Sequence, residues 1–306
     1  MKENNKIKNW LSAFRLRTLP LSLSCILLGS FLAYSNKPFS LLVLILAILT
    51  TLFLQILSNL ANDYGDSEKG TDNETRIGPE RAIQSGSISF AQMKKAIYIF
   101  GTLSLVSGIS LIYFGMSGLT LQYYIGFFVL GLLAIWAAVK YTVGENAYGY
   151  RGLGDVFVFL FFGLTGVMGT YFMHTHRFDL DVLLPASAVG FLSVGVLNLN
   201  NMRDRISDQA SGKNTLAVKF GFKGSKVYHT IILSAALISI CLFTMMNYHS
   251  PLQLLFLIAF PLIIHNMISV IKIAEPKQYD PLLKKLAMST LLFVLTFGIG
   301  LVVVSG

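Results

Sequence analysis

The chain has 306 residues, of which 54% are hydrophobic and only 13% charged, yet its net charge is +9. That charged share is about half of what a soluble domain uses, and a nucleic-acid binder would explain the basic balance but not the apolar excess. With a mean hydropathy of +0.64, the composition points to a polytopic membrane protein whose sparse charges are gathered in loops.

Read in windows near the length of a bilayer-crossing helix, the sequence predicts nine helices, over residues 19–35, 40–62, 95–115, 121–141, 153–173, 182–201, 228–247, 251–271 and 286–304. The expected fold is therefore all-α, a membrane bundle, with residues 1–306 forming one domain. The basic stretch 1–18 lacks the short apolar core and small-residue cleavage site of a secretory signal. It is expected on the cytoplasmic side, with Lys2, Lys6 and Lys8 at the anionic inner leaflet. Cys25 and Cys241 lie in apolar runs and read as small packing residues.

Nine spans divide the loops between two sides. Lys37 and Arg177 fall on one side, and the remaining 22 of the 24 basic residues on the other. Such segregation places the basic side in the cytoplasm, the amino terminus inside and the carboxyl terminus outside, as in a bacterial inner-membrane protein.

Acids are scarce, which makes their positions informative. Asp179 and Asp181 lie on the outer side, while 13 of the 15 lie on the basic side, where several crowd two helix ends. The second span closes on Gln55, Asn59, Asn62, Asp63, Asp66 and then Asp72; the sixth closes on Asn200, Asn201, Arg203, Asp204 and Asp208. Residues three and four apart share a helix face, so Gln55, Asn59, Asn62 and Asp66 form one polar stripe and Asn201, Asp204 and Asp208 a second. Such stripes are costly against lipid and must face a cavity or each other. Converging carboxylates repel, and a hard divalent cation such as Mg2+, bridging one or two carboxylates to a phosphate, would balance them. Arg76, Arg81, Arg203 and Lys213 flank the acids and suit a polyanion such as a diphosphate. The alternative is a set of ordinary loop charges in mutual salt bridges.

At these residues the sequence resembles the UbiA superfamily of intramembrane aromatic prenyltransferases. The resemblance rests on Asn62-Asp63-Tyr64-Gly65-Asp66 with Gly70 and Asp72, on Arg76 to Arg81, and on Asn200-Asn201-Met202-Arg203-Asp204 with Asp208 and Gly212-Lys213-Asn214. The usual third acid of the first motif would stand at Gly70, and Asp72 follows instead. This register, with Tyr141, Tyr148-Gly149-Tyr150 and Gly154-Asp155, is similar to the branch that prenylates 1,4-dihydroxy-2-naphthoate in menaquinone synthesis. Glu145 stands where other branches carry a lysine, so that lysine's diphosphate role does not carry over.

The resemblance implies a helical bundle whose central cavity opens toward the cytoplasmic side. It implies Mg2+-dependent transfer of a polyprenyl group from its diphosphate to the naphthoate, with loss of carbon dioxide. The implied metal set is Asn59, Asp63, Asp66, Asp72, Asn201, Asp204 and Asp208; the implied diphosphate set is Asn62, Arg76, Arg81, Arg203 and Lys213. Asp155 and Tyr141 are the candidates for positioning the acceptor. The bilayer is an expected partner; a nucleic acid or obligatory protein partner is not. His174 and His176 read as a solvated outer loop rather than a metal pair. His265 and Asn266 read equally as pocket lining or as interhelical bonds, and Gly101, Gly108 and Gly115 as a close-packing helix face. A secondary transporter, another lipid transferase, or a sister prenyltransferase acting on hydroxybenzoate, homogentisate, a porphyrin or a chlorin are the competing readings.

Overall fold

A computed structural model describes residues 2–36, 39–71 and 77–305; Asp72 and Arg76 lie outside the described residues. A short helix α1 (Lys2–Phe14) is followed by α2 (Leu19–Ser35), α3 (Leu41–Glu68), α4 (Phe90–Gly115) and α5 (Leu121–Lys140). Next come α6 (Gly154–Val158), a π-helical stretch Phe159–Met168 and α7 (Gly169–Thr175), which together make one span. The chain ends with α8 (Leu183–Ala210), α9 (Leu216–Met246), a 3-10 turn Pro251–Ala259 running into α10 (Phe260–Lys272), and α11 (Tyr279–Ser305). Among the described residues, nine helices are long and apolar enough to cross a membrane, in the order the hydropathy predicts.

Side-chain caps start several of these helices. Ser40 accepts from the Val43 N–H, Thr215 from the Val218 N–H, and Ser89 forms a reciprocal capping box with Gln92. The helices run past the predicted limits at the basic end: α3 to Glu68, α8 to Ala210, with α4 starting at Phe90 and α11 at Tyr279. Hydropathy loses a helix where its residues become polar, although its backbone bonds continue. The seventh span starts at Leu216, twelve residues early, and bends at Gly221, whose φ of 67° only glycine adopts readily.

Burial divides the bundle into a core and a rim. The main hydrophobic core joins α2, α8, α9 and α11, with Leu28, Leu192, Leu233, Leu286 and Phe297 essentially inaccessible. By contrast α4 and α5 turn Tyr98, Val106, Ile109, Leu133 and Trp136 outward, a surface suited to lipid rather than water. At Gly163 the π segment meets α8 so closely that an added methyl would stand 2.9 Å from the Gly190 Cα. The Gly101, Gly108 and Gly115 series does not form a packing face. Only Gly115 is tightly covered, by Met173, while Gly101 has open space beside it.

His174 is not solvated. It is buried at the end of α7, takes the Ser40 N–H at Nδ1 and donates from Nε2 to Ser30, which ties α2, α3 and α7 together. Asn266 donates to the Leu282 carbonyl and its oxygen meets His229, so it is an interhelical bond between α9, α10 and α11.

Candidate active site

The two polar stripes end at the basic ends of α3 and α8. Asn59, Asp63 and Asp66 on α3 and Asn201, Asp204 and Asp208 on α8 are all buried. The intervening segments fold over them. Asp63 Oδ2 accepts the backbone N–H of Ala82 at 3.1 Å. Asp66 accepts the Tyr150 hydroxyl at 2.8 Å and faces the Lys213 ammonium at 3.3 Å. Lys213 arrives there because α8 stops at Ala210, Gly212 turns with φ of 73°, and the Lys213 N–H returns to the Asp208 carbonyl at 2.8 Å. One lysine thereby joins the two motifs. Burial alone would discharge it, but Asp66 and then Asp208 more than offset that penalty and hold its pKa above the ordinary lysine value.

The loop after α5 forms the third side. Thr142 is fully buried and donates to the Ala61 carbonyl at 2.9 Å and to the Asn62 amide oxygen at 3.3 Å. Gly65 allows this approach: a methyl there would meet the Thr142 backbone at 2.7 Å. Lys69 donates to the Thr142 carbonyl at 2.8 Å and lies 4.0 Å over the Tyr150 ring, whose hydroxyl also bonds Thr71 at 2.6 Å. Burial, then Asp155, Asp66 and Asp208, raise the Tyr141 pKa, so its phenol stays a proton donor at neutral pH.

Inward of these groups lies a cavity of about 380 Å³. Its polar end is lined by Arg15, Arg17, Asn62, Arg81, Tyr141 and Lys213, and its depth by apolar residues including Leu54, Phe127, Phe161 and Phe162. Of the expected site residues, Asn59, Asn62, Arg81, Lys213 and Tyr141 reach this wall. The four aspartates lie behind it. Asp155 is buried outside the lining, accepting the Tyr228 hydroxyl at 3.2 Å, next to Gly154, which packs on the Tyr141 ring.

Arg203 was expected at the diphosphate and is elsewhere engaged. Its guanidinium is inaccessible, bidentate to Asp204 at 2.7 and 2.9 Å, bonded to Asn200 at 2.8 Å and paired with Asp280 of α11. Tyr150 belongs to the site although the sequence marks it only within Tyr148-Gly149-Tyr150, with no role of its own, and Asp280, paired with Arg203, is a single acid without a sequence signal. Arg15 and Arg17 also line the cavity, although the sequence offers them only as two of the 22 basic residues of the inner side.

Among the described residues, no three His, Cys, Asp or Glu side chains form a ready metal cage. The donor chemistry nonetheless fits a hard cation. The carboxylates are oxygen donors on α3 and α8, and Asp63 Oδ1 is buried with no hydrogen-bond partner. Mg2+ needs only one or two such carboxylates, with water and phosphate completing its shell.

Comparison with known proteins agrees with this geometry. The model of the UbiA prenyltransferase family matches residues 22–293. A Haemophilus influenzae protein named 1,4-dihydroxy-2-naphthoate octaprenyltransferase is 44% identical over 302 residues, covering 98% of this chain and 97% of the relative. An Escherichia coli protein of the same name is 41% identical over 297 residues, covering 97% and 96%. The fold matches that of an Archaeoglobus fulgidus UbiA homologue solved with GPP and Mg2+, with a TM-score of 0.64 at 17% identity over 97% of this chain and 100% of that one. The chain is an integral membrane protein of the UbiA prenyltransferase family.

Proposed function

We propose that this protein transfers a polyprenyl group from polyprenyl diphosphate to 1,4-dihydroxy-2-naphthoate, releasing diphosphate and carbon dioxide, in menaquinone synthesis. The names of the Haemophilus and Escherichia relatives support both the acceptor and an octaprenyl donor. The observation that carries the reading is the cavity itself: an apolar chamber closed at one end by cations, beside buried carboxylates on α3 and α8. That polarity matches a ligand with a hydrocarbon tail and a polyanionic head.

Asp63, Asp66, Asp204 and Asp208 are the residues that would hold Mg2+, with Asn201 beside them and Asp72 beyond the described residues. When bound, the cation supplies charge neutralisation for the departing diphosphate. Arg81, Lys213 and Asn62 bind the diphosphate oxygens and stabilise the electron pair that leaves with the allylic C–O bond. Arg76 belongs to this set as a proposal from the motif. The apolar wall excludes water from the allylic cation. The ring of the acceptor then forms the new C–C bond, and the electrons of its carboxyl bond restore aromaticity as carbon dioxide departs. Tyr141, held protonated, donates a hydrogen bond to the acceptor; Asp155 holds the adjoining turn through Tyr228.

The basic end of the bundle faces the cytoplasm of a bacterial inner membrane, and the cavity opens on that side. All of the site residues above lie at that end. Asn36, Asp179, Asn247 and His249, from loops predicted on the outer side, gather around a separate recess.

The test is direct. Purified protein in lipid is mixed with octaprenyl diphosphate and a panel of aromatic acids, with Mg2+ or with chelator, and products are weighed by mass spectrometry. A prenylated naphthalene diol lacking the carboxyl mass is expected, only with Mg2+ and only from the naphthoate. Transfer to a different acid alone would replace the acceptor, and no transfer at all would overturn the reading.

A further inference from the structure

Arg15 adopts φ of 51° and ψ of 55°, and with His176 it is one of two non-glycine residues with positive φ among the described residues. A side chain with a Cβ resists this left-handed conformation. It persists where the surroundings over-determine it, and such positions gather at functional sites.

The surroundings here are specific. Helix α1 stops at Phe14, and a 3-10 turn, Leu16–Thr18, leads into α2. On one flank of Arg15, the Phe14 carbonyl accepts the Asn59 amide at 3.0 Å. On the other, Thr18 Oγ1 accepts Asn59 at 3.1 Å and Gln55 at 3.3 Å, while Thr18 donates through both its hydroxyl and its N–H to the Arg15 carbonyl at 2.9 Å. Gln55 also donates to the Asn59 oxygen at 3.3 Å and takes the Ser22 hydroxyl at 2.7 Å. The lower half of the α3 polar stripe is thus committed to a backbone corner. The upper half, Asn62, Asp63 and Asp66, remains with the charges.

The corner aims Arg15 at the polar end of the cavity, among Arg17, Asn62, Arg81 and Lys213. Its charge is felt at Asp66 and at Tyr141. A guanidinium fork there matches paired phosphate oxygens better than any single carboxylate. We infer that Arg15 is a further diphosphate-binding residue and that Gln55 and Asn59 are positioning residues that hold it in place. The inference rests on the prenyl diphosphate reading above, and it gives Asn59 a role other than metal ligation.

Glycine adopts the left-handed conformation freely, so Arg15→Gly keeps the corner and removes only the cation. In the full-length protein in lipid, with Mg2+, Arg15→Gly is expected to weaken inorganic diphosphate binding and raise the KM for octaprenyl diphosphate about ten- to a hundredfold. The KM for the naphthoate and the melting temperature stay close to wild type. Arg15→Lys, which keeps the charge without the fork, falls between the two. Asn59→Ala weakens diphosphate binding in the wild-type background but adds nothing in the Arg15→Gly background, because both act through one side chain. Wild-type diphosphate affinity in Arg15→Gly overturns the binding role; should that variant not be recovered, undiminished affinity and KM in Arg15→Lys overturn the fork. Additive losses in the double variant overturn the positioning role and return Asn59 to the metal. A wild-type protein that neither binds diphosphate nor transfers a prenyl group would instead sink the underlying reading, and this inference with it.

Discussion

Tyr150 meets Asp66 through its hydroxyl, and Lys69 and Lys213 lie over its ring at 4.0 and 5.2 Å from the centroid. Tyr150→Phe keeps both ring contacts and deletes the hydroxyl's bonds to Asp66 and to Thr71, the one to the carboxylate contributing about 1.5–3 kcal/mol. The expected result is roughly a tenfold or greater loss of kcat/KM for the polyprenyl diphosphate, with little change in the naphthoate KM. Lys213→Met has a different signature, because it takes the cation from buried Asp66 and leaves it the Tyr150 hydroxyl. Removing one member of a buried pair destabilises by several kcal/mol, so thermal unfolding in chelator should drop well below wild type. Mg2+ should restore part of that loss, and a melting curve indifferent to Mg2+ would argue against Asp66 as a metal ligand. The aspartates and Lys213 were legible in the sequence because charge inside a membrane span is conspicuous. The contacts of Tyr150, Arg15 and Asp280 were not. They reach across 84 residues in one case and 77 in another, which no local spacing encodes.

Helices carry these side chains into register, and two of their contacts are testable. Gly65 lies where α3 meets the Thr142 backbone, so Gly65→Ala must push the loop after α5 away from the stripe. Overpacking of this kind costs about 1–3 kcal/mol, and turnover should fall further than stability, since the displaced loop carries Tyr141 and Tyr150. A melting temperature and kcat measured on the same preparation separate the two effects. The second contact joins α8 to α11 through Arg203 and Asp280, with Arg17 at 3.6 Å from the same carboxylate. Asp280 is 40% exposed on its side chain, so screening limits its share. A double-mutant cycle of Asp280→Asn with Arg17→Gln should yield a coupling of about 1 kcal/mol or less, whereas Arg203→Met alone should be strongly destabilising, because it removes the bidentate cation from a buried carboxylate. The hydropathy pattern located all nine spans but ended them early, because it reports apolar surface and the site is built from the polar extensions.

At the scale of the whole molecule the charge count predicts which loops share a side of the membrane. Cysteines placed at Ser87 and at Arg177, both exposed, should therefore differ in intact cells toward a membrane-impermeant maleimide. Labelling is expected at position 177 and not at 87 until the membrane is opened; the reverse would invert the orientation. Native Cys25 is buried and Cys241 half-buried in its span, so the background is low. The π-helical stretch Phe159–Met168 bears on how this wall can vary. Phe161, Phe162, Thr165 and Gly166 line the cavity from within it, and Gly169, Thr170 and Met173 line it from beyond. Such wide turns hold an inserted residue within an otherwise α-helical span. Deleting one residue there would let the span relax to ordinary spacing without breaking it. Everything beyond would swing about 100° around the helix axis, exchanging one set of wall residues for another. A single codon can thus reshape the chamber while the aspartates on α3 and α8 keep their places.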